Sequence, residues 1–339
     1  AQQFEEKMGQ IVQDMASVGT NEIYLHASAF TDAFYDSRIY PRSTWAADTS
    51  YDPLALFLKA AHAAGMKVDA WVNPMRSYTL EEASSQASGL IQQWIQENSE
   101  KIRPVDGRYY LNPAYADVRE LIVSIPLEIV RSYDVDGIIL DDYFYPDKTA
   151  YNFDSYAWSQ KNAEQEISQE DFRRENVNTL VREMHDALKK ENPDLTFGIS
   201  PAGNLDYDVN TVFADPAAWI KEGTIDYLAP QLYWGFDHPT KPFEDTLKQW
   251  EDLTAGTDVK LIPALAAYKC GVADTWAQDA ANEWIDKDDI LGRQITMVLQ
   301  RQNAGYSLYN YESLFAPDDG VRENVDKEIV NIKLALGLQ

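Results

Sequence analysis

Short apolar runs alternate with amphipathic stretches along nearly all of this chain, and that alternation constrains the fold more than any other feature. The runs are Glu22–Ala27, Lys67–Asn73, Gly137–Leu140, Thr196–Ser200, Tyr227–Tyr233, Lys260–Ala267 and Tyr306–Tyr311. Each spans four to eight residues, as strands buried on both faces of a parallel sheet do. Between them, Phe4, Met8, Ile11, Val12, Met15 and Val18 follow helical spacing. Asp52-Pro53 before Leu54–Ala64 reads as an N-cap with proline at the first helical position. Thr79 and Glu82 form a capping box that opens a helix over Leu80–Asn98. Further helices are expected over Val118–Tyr133, bent at Pro126, and over Glu170–Lys190, Phe243–Leu253 and Val321–Leu336. Strand–helix alternation implies an α/β fold with parallel strands and right-handed crossovers.

No linker or low-complexity tract divides the chain, so residues 1–339 are expected to form a single domain. A (β/α)8 barrel needs about 250 residues, and more with insertions. Seven strand-like runs leave an eight-strand plan one short. Because the sequence opens inside a helical pattern, the expectation is a TIM barrel whose first strand is missing from this chain. Long connections follow the runs Lys67–Asn73 and Gly137–Leu140, and Asp106-Gly107 in the first of them reads as a hairpin turn. An open doubly wound sheet would want a glycine-rich nucleotide turn, but the 16 glycines are dispersed.

Charge narrows the partners. Twenty-nine Lys and Arg against 55 Asp and Glu give a formal charge of −26, a field that repels phosphate backbones and anionic lipid. Nucleic acid is therefore not an expected partner, and no run is long and apolar enough to span a membrane. The single cysteine, Cys270, rules out an internal disulfide and is expected to be a packed small residue.

In such barrels the chemistry lies at the C-terminal ends of the strands. The strongest such end is Asp136–Pro146, DGIILDDYFYP, where an apolar run closes on two adjacent carboxylates. Buried carboxylates are costly unless paired or hydrogen-bonded. Strand alternation would put Ile139, Asp141, Tyr143 and Tyr145 on one face and Asp142 on the other unless the strand bends. The remaining strand ends are polar and aromatic, which suits sugar hydroxyls and the apolar faces of pyranose rings. They carry Asn73, Pro74 and Arg76, Ser200, Pro201 and Asn204, Gln231 with Tyr233 and Trp234, Tyr268 and Lys269, and Tyr309, Asn310 and Tyr311.

DGIILDDYFYP resembles the signature of the glycosyl-hydrolase-like family 10 proteins. Phe30–Pro41, Tyr51–Arg76, Leu111–Ile122, Phe197–Asn204, Ile225–Phe236 and Leu265–Gly271 resemble the family's segments in the same order. His26 and Ala27 depart from its more usual basic stretch. The resemblance implies a bacterial (β/α)8 glycoside hydrolase in a family that includes a divisome-localised peptidoglycan glycosidase. It also implies an extracytoplasmic protein, a polymeric glycan as substrate and no cofactor. Glycoside cleavage uses two carboxyl groups, one to protonate the leaving oxygen and one to stabilise or attack the anomeric carbon. Asp141 is the expected nucleophile or stabiliser, with Asp32 and Asp142 the leading candidates for the acid. The expected substrate contacts are His26, Asn73, Arg76, Tyr143, Tyr145, Asn204, Gln231, Tyr233, Trp234, Lys269 and Tyr311. Asp206, Asp208 and Glu312 are expected to be solvated loop charges. Trp94, Trp219 and Trp250 fall in helical patterns and are expected in the core.

Two other classes compete. A catalytically silent carbohydrate-binding barrel would keep the aromatics without a second carboxyl group near Asp141. A metal-dependent lyase or an aldolase-type enzyme would use Asp136, Asp141, Asp142 and Asp147 as a cation site, or Lys269 as a Schiff-base lysine. The expectation here is no metal. The histidines His26, His62, His185 and His238 lack zinc spacing, and there is no G-x-S-x-G elbow.

Overall fold

The computed structural model describes residues 2–338 and divides into two compact units. One comprises residues 2–5, 22–198 and 205–225, and the other residues 6–21, 199–204 and 226–338. The first described element is a helix, Gln2–Ser17, which buries Met8, Val12 and Met15.

The first unit is built on strands β1 (Glu22–Ser28), β2 (Lys67–Val72), β6 (Gly137–Leu140) and β7 (Thr196–Ile199), adjacent in that order. β1 pairs parallel to β2 from Glu22↔Lys67, and β2 pairs parallel to β6 from Asp69↔Gly137 to Val72↔Leu140. Val68, Ala70, Val72, Ile138, Ile139, Leu140 and Phe197 are almost fully buried, as the apolar runs predict. Between β2 and β6 lies a small antiparallel sheet of β3 (Arg76–Thr79), β4 (Ile102–Val105) and β5 (Arg108–Leu111). Asp106 and Gly107 turn its hairpin at φ 49° and 82°, the left-handed pair a two-residue turn requires.

The caps form as expected. The Asp52 side chain accepts from Ala55 N at 3.0 Å, and both halves of the Thr79–Glu82 box are present. The helix expected over Leu80–Asn98 is two helices, Leu80–Gln86 and Gly89–Gln96, separated at Ala87–Ser88. Gly89, at φ 55°, redirects the chain so that the second helix can bury Ile91 and Trp94. The helix Ala116–Ser132 runs through Pro126 and packs on Gln169–Glu191. The long connection expected after Gly137–Leu140 contains a short turn of 3₁₀ helix, Tyr151–Phe153, and a helix, Ser155–Glu164.

In the second unit β8 (Tyr227–Leu228) pairs parallel to β9 (Lys260–Leu261), and β10 (Ala264–Ala266) pairs parallel to β11 (Ser307–Tyr309). Single parallel bridges Ala202↔Gln231 and Gln231↔Ala264 link these segments. The runs expected over Tyr227–Tyr233 and Lys260–Ala267 are thus broken strands. Pro230 and Pro263 lie at the breaks and bring no N–H to a ladder. The helix Phe243–Thr254 buries Phe243, Leu247 and Trp250, and the helix Ile290–Gln300 packs on Arg322–Ala335.

Candidate active site

In the first unit β6 stops at Leu140, and the chain turns as soon as the carboxylates begin. Asp142 N donates to Asp141 Oδ1 at 2.9 Å, and Phe144 N donates to Asp142 O at 2.9 Å. Strand alternation therefore does not carry past Asp141. The strand bends here, the one case in which the sequence does not send Asp142 to the opposite face, and the Asp142 carboxyl acts on that of Asp141. Asp141 is 5% exposed and Asp142 half-buried. Burial first, and the Asp142 charge second, hold the Asp141 carboxyl well above the usual carboxylate range, while Arg76 opposes the shift. Two adjacent carboxyls in such a place favour sharing a proton over ionising together.

The wall beside the pair is cationic and aromatic. Arg76, at the start of β3, lies 4.0 Å over the Tyr143 ring and 5.1 Å from that of Phe30. Burial and the Asp142 charge push the Tyr143 phenol up to about 12, so it stays a proton donor at neutral pH. Tyr207, in the helix Leu205–Asn210, is likewise pushed up to about 12, by burial and then by Asp147 and Asp142.

The ends of β1 and β2 are laced together. Asp32 is 7% exposed, and its Oδ1 accepts from Ala29 N at 3.1 Å and Phe30 N at 2.9 Å. Asn73 Nδ2 donates to Ala29 O at 2.8 Å. Both residues thus fix the turn that carries Phe30. His26 stacks on Trp71 at 4.1 Å and 16°. Burial pulls its pKa down to about 4, against the smaller pulls of Asp32 and Asn73, so the imidazole is neutral over the physiological range.

Two expectations for this unit are corrected, and the rival cation site is taken apart. Tyr145 was expected to contact substrate but is 1% exposed. Its ring takes the guanidinium of Arg173 at 5.7 Å, and its hydroxyl accepts from Asn176 at 3.3 Å. Asp208 is not a solvated loop charge; it lies fully buried within the helix Leu205–Asn210. Asp136, a member of the rival cation site, precedes β6, where its Oδ2 accepts from Val68 N at 2.8 Å and meets His62 Nε2 at 3.0 Å. A four-residue strand, on the order of 13 Å, separates it from Asp141. Among the described residues no three His, Cys, Asp or Glu side chains form a metal-holding group.

The second unit gathers aromatics. Tyr233 meets Tyr268 edge-on at 5.5 Å and stacks on Tyr309 at 6.0 Å, and Tyr268 and Tyr309 are each 39% exposed. Gln231 Nε2 donates to Ser200 O at 3.3 Å. A side chain at Gly203 would collide with Gln231 O at 2.3 Å, so glycine is required for this close approach. Asn204 beside it is half-buried. Trp234 carries the Lys241 ammonium 5.2 Å from its ring, and its carbonyl accepts from Gln294 at 2.9 Å. Lys269 is committed to Asp274 at 2.6 Å, with both side chains largely buried. Tyr311 donates to Asp14 at 2.8 Å and stacks on Phe315. Cys270 is buried, which raises its thiol pKa, and Trp94, Trp219 and Trp250 lie in the core.

Sequence reasoning passed over Phe30, Arg108 and Tyr207. Arg108 carried a usable signal, its place directly after the Asp106-Gly107 turn. Tyr268 and Tyr309 are read from sequence as strand-end residues but not ranked among the substrate contacts.

Comparison with known proteins bears on family and fold. Residues 3–286 match the model of the family described as glycosyl hydrolase-like 10. The glycosyl hydrolase DigH of Escherichia coli K12 is 30% identical over 279 residues, covering 75% of this chain and 64% of that protein. The glycosyl hydrolase YngK of Bacillus subtilis 168 is 27% identical over 345 residues, covering 94% and 65%. This chain thus spans just under two thirds of the length of these relatives. Among solved structures, the PgaB (BpsB) glycoside hydrolase domain of Bordetella bronchiseptica superposes with a TM-score of 0.60 at 15% identity, over 96% of this chain and 92% of that one. At that identity the likeness speaks to fold alone, and the fold class is the α/β TIM barrel of glycoside hydrolases. The chain belongs to the glycosyl hydrolase-like 10 family.

Proposed function

We propose that this protein hydrolyses glycosidic bonds in a polymeric glycan, with the Asp141–Asp142 pair at the centre of the reaction. The observation that carries the reading is the interaction of two carboxyl groups at the end of β6, one buried and one half-exposed. Such a pair holds one proton and one negative charge. Asp142, the more exposed member, meets the sugar. Asp141 positions it and shares the proton with it. That proton passes to the leaving oxygen as the glycosidic C–O bond breaks, the negative charge faces the positive charge that develops on the anomeric carbon, and water then adds to that carbon and returns a proton to the pair. This shifts the leading role from Asp141, which sequence alone favours, to its neighbour. Neutral His26, Asn73 and Tyr143 line the same end of the unit; in the second unit, taken by itself, the Tyr233, Tyr268 and Tyr309 rings offer faces suited to pyranose.

The names of the relatives support glycan cleavage, and family resemblance favours bacterial cell-wall glycan strands and an extracytoplasmic setting. The test is digestion of a panel of polysaccharides, peptidoglycan glycan strands included, followed by anomeric NMR. New reducing ends from wild type and none from Asp142→Asn are expected. Binding without cleavage on every glycan would favour the silent-barrel reading instead.

A further inference from the structure

We propose that Arg76 and Arg108 form a seat for a carboxylate carried by the sugar itself, so that the enzyme selects acidic glycans. This rests on the glycan-hydrolase reading above. β3 and β5 run antiparallel with Arg76 opposite Tyr110. Arg108, two residues before Tyr110, shares its face of the sheet, so the two arginines are diagonal neighbours. Their guanidinium carbons lie 5.1 and 4.3 Å from the centre of one ring, Phe30. Like charges this close repel, and the Arg76 charge adds to burial in pressing on the Arg108 guanidinium.

The chain has carboxylates to spare, yet neither arginine is closely matched to one. Glu82 lies 3.8 Å from Arg108 and is already engaged with Thr79 N at 2.8 Å. Arg76 has no carboxylate within 4.0 Å among the described residues, and its Nε is buried without a hydrogen-bond acceptor. Arg108 has one firm acceptor, Ser77 O. Guanidinium groups stacked on rings keep their edge N–H donors free, in a fork that matches a planar carboxylate. The seat adjoins the reacting pair, because Arg76 lies over Tyr143 and acts on Asp141. A carboxylate bound there would relieve the repulsion between the arginines and place its sugar beside Asp142. Two sugar chemistries supply it, a uronic acid and a free lactyl ether.

The test is titration calorimetry on the full chain carrying Asp142→Asn, which separates binding from turnover. The probes are oligosaccharides of equal length bearing uronate or free lactyl groups, each beside its methyl ester. The acid is expected to bind at least about tenfold more tightly than its ester in one series or both, and the responding series identifies the source. Adding Arg108→Met should bring the ratio close to one, whereas Arg108→Lys should keep part of it. Equal binding of acid and ester, or no binding of either, would overturn the proposal whatever the variants do. Cleavage by the wild type is read separately on the same sugars. Acid-selective binding without cleavage would uphold the seat and overturn the hydrolase reading.

Discussion

Two buried aspartates in the first unit lie thirteen positions apart and live in opposite surroundings. Asp154 is fully buried, and Arg173 holds it through contacts of 2.8, 3.0 and 3.3 Å, with Gln169 adding another at 2.7 Å. Asp141 is nearly as buried, but a second carboxylate is among its strongest electrostatic neighbours. The first arrangement answers the cost of burying a charge with a matched cation. The second leaves part of that cost standing and moves the proton affinity. A fold gains nothing from crowding two acids together, so the difference sets Asp154 down as architecture and supports the proposal that Asp141 serves the chemistry.

Removing the acids one at a time is the sharpest way to break that contrast. Asp142→Asn should lower glycan cleavage by roughly 10²–10⁴-fold while leaving the cooperative unfolding transition in place. Asp141→Asn should cost less and should also move the alkaline limb of the pH–rate profile to lower pH. That limb reports loss of the shared proton, and without the Asp141 charge the site holds the proton less tightly. An unmoved limb in Asp141→Asn would show that the two groups do not titrate together.

The architectural partner should behave the other way. Arg173→Met strands the Asp154 carboxylate and should destabilise the protein by about 3–5 kcal/mol in urea unfolding, with unchanged specific activity in the folded fraction. Glu328 tests the middle ground, since its buried carboxylate is met by the N–H groups of Leu291, at 3.1 Å, and Gly292, at 3.4 Å. Burial raises its pKa to about 7, ahead of the opposing backbone hydrogen bonds. Its folded pKa thus exceeds its unfolded value, so stability is highest below about pH 4.5 and falls as pH rises towards 7. The stability gap between wild type and Glu328→Gln should change by about 3 kcal/mol between pH 4.5 and 8. A pH-independent gap would mean that Glu328 stays charged throughout.

The fold was largely legible because its signals are local. Apolar runs, the Thr79–Glu82 box and the Asp106-Gly107 turn each declare themselves within a few residues. The errors arose where one rule was extended past the element it governs. Alternation along β6 was carried beyond Leu140, which placed Tyr145 in the mouth. The helical period was carried through Ser88, and strands were carried through Pro230 and Pro263. The motif marked Asp141 and Asp142 as the acids to propose, but not their division of labour, because burial and mutual repulsion exist only after folding. The pairings of Asp154 with Arg173 and of Phe30 with two arginines join residues from 19 to 78 positions apart, and no spacing rule reaches that far.

Asp32 is where the contrast should yield the smallest effect. It is a buried acid near the site, which sequence alone ranks as a proton donor, yet its Oδ1 is occupied by the N–H groups of Ala29 and Phe30. That is the work of a turn cap, and an amide oxygen can do it equally well. Asp32→Asn should therefore change stability by less than about 1 kcal/mol and cleavage by less than about tenfold. Asp32→Ala frees both donors and the turn that carries Phe30, so it should cost about 1–3 kcal/mol and raise KM. A collapse of kcat in Asp32→Asn with the fold intact would instead make Asp32 a third reacting carboxyl, and the pair at the end of β6 would no longer account for the chemistry alone.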